Sequence, residues 1–370
     1  MFEDINFVTN IDVLPIDEKV EIAKVVEHFP FLSTTYYLSL IRFDDPYDPI
    51  RRIVIPDPGE LEPWGRADPS NEADYTVMEG VQHKYASTLL VLASDRCAGL
   101  CRYCFRKRLF LKDQYAKPEK LQDLDELVKY IEAHREITNV LISGGDAFML
   151  PTRKLEEIIR KISQIDHIKS LRLGTRILSY WPQRISEDEK LLEILDRYSR
   201  PHKRIYVVTH FDHPREITPQ ALKAIDLLIK AGVVLLNQCP LIKGVNDDPD
   251  ILASLFLKLV SVGIAPYYVF QCRPTIGNRP FAVPVEEGYK IVEEAKSRCC
   301  GVAKRARFVM SHARGKLEIV ALTKEHVFFK FHRAARREDK DKLLVFERNL
   351  NAFWLDDYTN LVTNYNLEFN

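Results

Sequence analysis

The chain has 370 residues, 46% apolar and 29% charged, with 14 glycines and 20 prolines. Those values exclude a disordered tail, a collagen-like repeat and a mini-domain, and the length suits about two domains or one large α/β barrel. Lys plus Arg and Asp plus Glu both number 53, so no bulk charge draws the chain to nucleic acid or to an anionic membrane.

The opening Met1-Phe2-Glu3-Asp4-Ile5 has neither a basic lead nor an apolar run, and the reading is a cytoplasmic protein without an export signal. The longest apolar run, 89–93, falls far short of the roughly 20 residues of a membrane span. Residues 1–80 read as an irregular cap: an amphipathic helix over 16–28, then turn chemistry at Phe43-Asp44-Asp45-Pro46-Tyr47-Asp48-Pro49. From residue 87 the pattern is regular. β-rich apolar runs fall at 87–94, 139–143, 170–174, 204–210, 233–239 and 267–272. Between them lie helical periods, Leu121, Leu124, Leu127, Val128 and Ile131, then Leu155, Ile158, Ile159 and Ile162. Further helices are expected over 187–198, 219–231, 250–262 and 285–298. Near-continuous apolar strands alternating with helices imply parallel strands under helical cover, joined by right-handed crossovers.

The expected class is therefore α/β, a partial (β/α)6 TIM-like barrel over 81–302, with the N-terminal cap before it and an extension over 303–370. A doubly wound sheet is the alternative, and both place functional groups at the C-terminal ends of strands. In the extension, 316–322 and 327–331 read as strands, the mixed-sign run 333–342 as a solvated turn, and 347–370 as helix-like.

Three of the seven cysteines, Cys97, Cys101 and Cys104, fall within eight residues directly after the first strand. An odd count in a chain without an export signal points to metal or catalysis rather than disulfides. Tetrahedral zinc needs a fourth ligand, and no second Cys-x-x-Cys or His pair offers one. An iron–sulfur cube held by three thiolates instead leaves one iron open to a chelating ligand. Arg96, Arg102, Arg106, Lys107 and Arg108 surround the loop and are expected to depress the thiol pKa values. Cys239, Cys272, Cys299 and Cys300 read as buried small hydrophobes.

Cys-x3-Cys-x2-Cys with Tyr103 before its last cysteine resembles the radical S-adenosylmethionine superfamily. The resemblance implies a 4Fe–4S cluster on Cys97, Cys101 and Cys104 and S-adenosylmethionine on the open iron. It places Tyr103 near adenine and has Gly144-Gly145-Asp146, after the second strand, grip the methionine amino group. Along about 250 residues the chain also resembles the lysine 2,3-aminomutase family. The carrying stretches are Tyr36 to Ile41, Asp45 to Arg51, Arg172-Leu173-Gly174-Thr175-Arg176, Pro182 to Ile185, and Thr209-His210-Phe211-Asp212-His213-Pro214. Asn237-Gln238-Cys239, Lys243 to Asp247 and Pro266 to Cys272 continue in order. His210 and Gln238 are placed in the cofactor site by this match.

The family resemblance further implies pyridoxal 5′-phosphate, held as a Schiff base by the lysine matching Lys316 in Ser311-His312-Ala313-Arg314-Gly315-Lys316. Lys84 matches a basic position for its phosphate, whereas Thr88 stands where lysine aminomutase has another arginine. Arg106 matches the arginine for the substrate α-carboxylate. The implied reaction moves an amino group from Cα to Cβ of a small amino acid, after radical removal of a β-hydrogen. Where lysine aminomutase carries aspartates for the distal ammonium, this chain has Arg273 and, near the second, Ser311. The expectation is an acidic substrate, glutamate or aspartate. With no cysteine after Cys300, no structural zinc is expected. A reductant such as flavodoxin or ferredoxin is implied, and homo-oligomerisation stays open. The alternatives are a relative acting on lysine, free or destined for a translation factor, and a non-catalytic iron–sulfur protein.

Overall fold

The apolar runs become strands of one sheet, and the 3,4-spaced segments become the helices over it. The computed structural model describes residues 6–12, 14–111 and 119–367. The leader reading over Met1 to Ile5 lies outside the described residues. At the N-terminus β1 (Phe7–Val8) and β2 (Ser33–Thr34) pair antiparallel beside α1 (Ile16–His28), α2 (Thr35–Leu38) and α3 (Pro49–Val54). Asp48 caps α3 by accepting from the amides of Ile50 and Arg51, with Pro49 in the first turn.

The main sheet has 13 strands in unbroken chain order. β3 (Thr76–Met78) and β4 (Val81–Tyr85) lead in antiparallel to β5 (Thr88–Ser94). From β5 the sheet is parallel through β6 (Asn139–Gly144), β7 (Ser170–Gly174), β8 (Arg204–Thr209), β9 (Val234–Pro240), β10 (Ala265–Phe270) and β11 (Arg307–His312). The crossovers hold α4 (Leu124–Ala133), α5 (Thr152–Ser163), α6 (Ile177–Tyr180), α7 (Gln183–Ser186), α8 (Glu189–Tyr198), α9 (Pro219–Lys230), α10 (Pro249–Ser261) and α11 (Val285–Ser297). An antiparallel meander follows: β12 (Gly315–Leu322), β13 (His326–Ala334), β14 (Lys342–Glu347) and β15 (Leu361–Asn366). No helix among the described residues is long and apolar enough to cross a membrane.

Three expectations change. A seventh parallel strand, β11, follows the six counted, so the sheet continues across residue 302. Its apolar stretch, Phe308-Val309-Met310, is too short to register as a period. The helix-like tail instead holds a 3-10 turn at Leu355–Asp357 and the edge strand β15. The run 333–342 is not all solvated turn: Arg333 lies in β13, and Asp339 is buried against Arg314 at 2.5 Å.

The helices bury one stripe each. On α5, Leu155, Ile158, Ile159 and Ile162 are all buried, each contributing roughly 1.5–3 kcal/mol before entropy is charged. The strands alternate instead of being buried on both faces. Val140, Ile142, Leu171, Leu173, Ile205, Val207 and Leu235 are buried, whereas Asn139, Arg172, Tyr206 and Gln238 on the opposite face are half-buried. That second face keeps polar groups because it lines a space rather than a core. The sheet curls until its two halves touch. Lys84 Nζ on β4 donates to the His312 carbonyl at 2.6 Å, and Arg333 on β13 donates to Thr88 Oγ1 at 2.8 Å.

Candidate active site

The cysteine loop leaves β5 and crosses the end of β6. The amides of Gly145 and Asp146 donate to the carbonyls of Ser94 and Arg96, both at 2.7 Å. Gly144 has φ +111°, and a Cβ there would sit 2.2 Å from the Ser94 carbonyl; one at Gly145 would sit 2.3 Å from that of Arg96. Both glycines are thus needed for the loop to cross. The Asp146 carboxylate accepts from Thr175 Oγ1 at 2.7 Å and from the amides of Phe148 and Arg176, which ties the ends of β6 and β7 together.

Cys97, Cys101 and Cys104 are free and half-buried. Among the described residues no three His, Cys, Asp or Glu side chains converge as a single ion requires. One tetrahedral metal with ligands at about 2.3 Å would draw its sulfurs together, whereas a cube spreads them over separate irons. The donor set fits the cube. The expectation of depressed thiol pKa values is overturned: burial raises all three, Cys101 to about 11 and Cys97 well above the ordinary thiol value. Burial outweighs the pull of Arg106, Lys107 and Arg108 on Cys104, and carboxylates inside the chain hold these three. Cys300 is exposed, whereas Cys239, Cys272 and Cys299 are buried.

Those carboxylates come from the N-terminal cap. Arg102 meets Glu60 twice, at 2.8 and 2.9 Å, and Lys107 meets it at 3.0 Å. Arg106 (3.3 Å), Arg108 (2.7 Å) and Arg273 (3.5 Å) all converge on Glu72, and Arg108 also holds Glu119 at 2.7 Å. Burial pushes the Glu72 carboxyl up, but the three guanidiniums outweigh it and hold the pKa far below the ordinary value. Arg106 and Arg273 are therefore together, as the acidic-substrate expectation requires, yet they share an internal anion. The guanidinium of Arg273 also lies 3.8 Å from the Phe105 ring centroid. Sequence reading missed Glu60 and Glu72, since nothing in the irregular cap marks them.

Tyr103 is buried, and its hydroxyl donates to Asp212 and accepts from Arg176. His210 Nε2 lies 3.0 Å from Asp212 Oδ1, and the His210 and Tyr103 rings are 6.2 Å apart. Arg176 also meets Glu216 at 2.7 Å, which in turn accepts from Tyr37 and from the amides of Asp212 and His213. Asp212 falls to about 2, because Arg176 and His210 outweigh its burial. Tyr180, unmarked in the sequence, donates to Cys101 Sγ at 3.7 Å.

Lys316 faces the space on the other side. It stands opposite Ser311 on β11 and Arg333 on β13, so the three share one face. Its ammonium nitrogen sits 4.0 Å from the Tyr268 ring centroid and 5.0 Å from that of Phe270. Burial, then Arg172, Arg333, Arg273 and Lys84, push its pKa well below the lysine value. Lys84 falls to about 8, chiefly through burial. Gln238 lies on β9, half-buried on the face that lines the space, and Ser311 Oγ shares that face while its carbonyl accepts from Ser70. An amine pushed toward its neutral form and ringed by cations suits a carbonyl compound carrying an anion, so the residues present fit pyridoxal 5′-phosphate.

Residues 91–255 match the Radical SAM superfamily. The chain is thus a radical S-adenosylmethionine enzyme, a class defined by a 4Fe–4S cluster and that sulfonium cofactor. It is 47% identical over 356 residues to a protein of Aquifex aeolicus (strain VF5) provisionally named an L-lysine 2,3-aminomutase, spanning 96% of this chain and 94% of that one. Identity is 35% over 287 residues with L-lysine 2,3-aminomutase of Clostridium subterminale, spanning 77% and 67%. With glutamate 2,3-aminomutase of Clostridioides difficile (strain 630) it is 34% over 302 residues, spanning 81% and 69%. The chain belongs to the lysine 2,3-aminomutase family, whose members are isomerases.

Proposed function

We propose that this chain is a pyridoxal 5′-phosphate-dependent 2,3-aminomutase that moves an amino group from Cα to Cβ, built on a curled sheet that acts as a partial barrel. The observation that carries the reading is Lys316: enclosed, without a carboxylate partner among the described residues, and pushed toward its neutral form by burial and by cations. A neutral amine is what condensation with an aldehyde needs. Cys97, Cys101 and Cys104 would ligate the cluster. Tyr103 and His210 would flank adenine, with Gly144 to Asp146 and Gln238 completing the sulfonium cofactor's seat. Bound together, the cofactors supply a carbon radical and a π-system that stabilises the substrate radical. The chain's own residues orient and enclose: Arg106 takes the α-carboxylate, and the curled sheet excludes water.

We assign the substrate an acidic side chain, glutamate being simplest. Arg273 at the distal position supports this, as do the cations around Lys316. A distal ammonium there would meet like charge. A specific observation favours lysine as the rival: Asp68 Oδ1 is buried without a hydrogen-bond partner, and its charge reaches Lys84. Anaerobic reconstitution with both cofactors decides between them. Glutamate should yield 5′-deoxyadenosine and a β-amino product, and turnover of lysine alone, lost in Asp68→Asn, would overturn the acidic assignment. The visible absorbance of lysine-bound pyridoxal phosphate should vanish in Lys316→Met.

A further inference from the structure

Three cations, Lys84, Arg172 and Arg333, surround the Lys316 amine across the space, and among the described residues none of the four side chains is in an ion pair. Their partners are neutral. Lys84 Nζ donates to the His312 carbonyl at 2.6 Å, and Arg172 Nε to Asn139 Oδ1 at 2.9 Å. Arg333 Nη2 donates to Ser87 Oγ at 3.1 Å and to Thr88 Oγ1 at 2.8 Å, with its guanidinium 4.3 Å from the Tyr85 ring centroid. A guanidinium carries five N–H donors, so most of the donors on both arginines remain for a ligand. Unpaired like charges do not gather at a half-buried site unless an anion completes it. All four residues are half-buried, hence reachable from the space they line.

We propose that Arg172 and Arg333, flanking Lys316, bind a phosphate monoester dianion, with Lys84 on the far wall of the site. Arg333 thereby supplies from β13 the cation absent at Thr88, whose hydroxyl now holds that guanidinium in place. The assignment rests on the pyridoxal-phosphate reading and names which side chains hold the phosphate. Arg333 and Lys316 are direct cross-strand partners, so one small molecule carrying both an aldehyde and a phosphate would meet both side chains.

The test compares the apo chain's affinity for pyridoxal 5′-phosphate and for pyridoxal, which lacks the phosphate, by visible absorbance. Arg333→Gln should weaken the phosphate ester about 10- to 100-fold, the usual worth of a charge-assisted hydrogen bond, and leave pyridoxal within about twofold. Arg333→Lys should recover part of the loss. Inorganic phosphate should compete with the ester on the unaltered chain and leave pyridoxal unaffected, a measurement that needs no variant to fold. Equal weakening of both aldehydes, no weakening of either, or no competition by phosphate would overturn the site. Retention of the absorbance in Lys316→Met would instead overturn the pyridoxal-phosphate reading itself.

Discussion

The cysteine loop and the Lys316 face sit on one curled sheet and treat charge in opposite ways. Around the loop, Arg102 and Lys107 share Glu60, while Arg106, Arg108 and Arg273 share Glu72 with help from Glu119. Around Lys316 the cations meet carbonyls, hydroxyls, an amide and aromatic rings. Charge matched within the chain braces the architecture: Glu60 and Glu72 pin the N-terminal cap to the loop, and Glu72 also sets Arg106 and Arg273 side by side for the proposed substrate. Charge left unmatched waits for something brought from outside. Burial likewise has opposite outcomes for the two reactive groups, raising the thiols and lowering the lysine, and each time it favours the neutral form.

The sharpest way to break this comparison is to remove one anion. Glu60→Gln leaves Arg102 and Lys107 buried without a carboxylate, and breaking such a pair from one side costs about 3–5 kcal/mol. Urea melts should show that loss, whereas Arg333→Gln should shift the apo chain by less than about 1 kcal/mol. Equal losses would mean that both ends are architectural.

A smaller effect of the opposite sign is expected at Lys316. Its native pKa is depressed, so between that value and the unfolded value near 10.4 the unfolded chain binds the extra proton. Stability of the apo chain from this group therefore rises with pH across that window. Lys316→Met should stabilise the apo chain by about 1–3 kcal/mol at neutral pH and flatten the rise. Denaturant midpoints measured from pH 6 to 10 check both. A wild-type curve that falls with rising pH over that range would sink the neutral-lysine account.

How much of this was legible in the sequence follows from chain separation. The cysteine spacing, the Gly-Gly-Asp turn and the 3,4 periods of α5 are local, and local pattern suffices to read them. Lys316 was named only through family resemblance; its enclosure depends on β10, β7 and β13 converging, which no window of sequence contains. Arg333 meets Thr88 across 245 positions, so a mixed-sign run read as solvent-facing hid a site residue. Glu72 lies in an irregular segment and acquires meaning only when Arg106 and Arg273 arrive from the loops after β5 and β10. The thiol pKa expectation failed because burial, which a count of nearby arginines leaves out, outweighs them.

The finest test concerns Tyr180, which couples the architecture to the cluster. Its hydroxyl donates to Cys101 Sγ at 3.7 Å, and its ring stacks on Tyr37 with centroids 4.1 Å apart. A Cβ at Gly99, inside the cysteine loop, would lie 2.1 Å from that ring, so the loop and the tyrosine fit only while residue 99 is glycine. A hydrogen bond to a ligating sulfur stabilises the more negative, reduced cluster and raises its potential. Tyr180→Phe should therefore lower the reduction potential followed by electron paramagnetic resonance, and slow radical generation by about tenfold, while iron and sulfide per chain stay unchanged. Gly99→Ala should move the potential the same way by displacing the ring. An unchanged potential with full cluster content would reduce Tyr180 to a packing residue, and the hydroxyl near Cys101 would then have no part in tuning the iron.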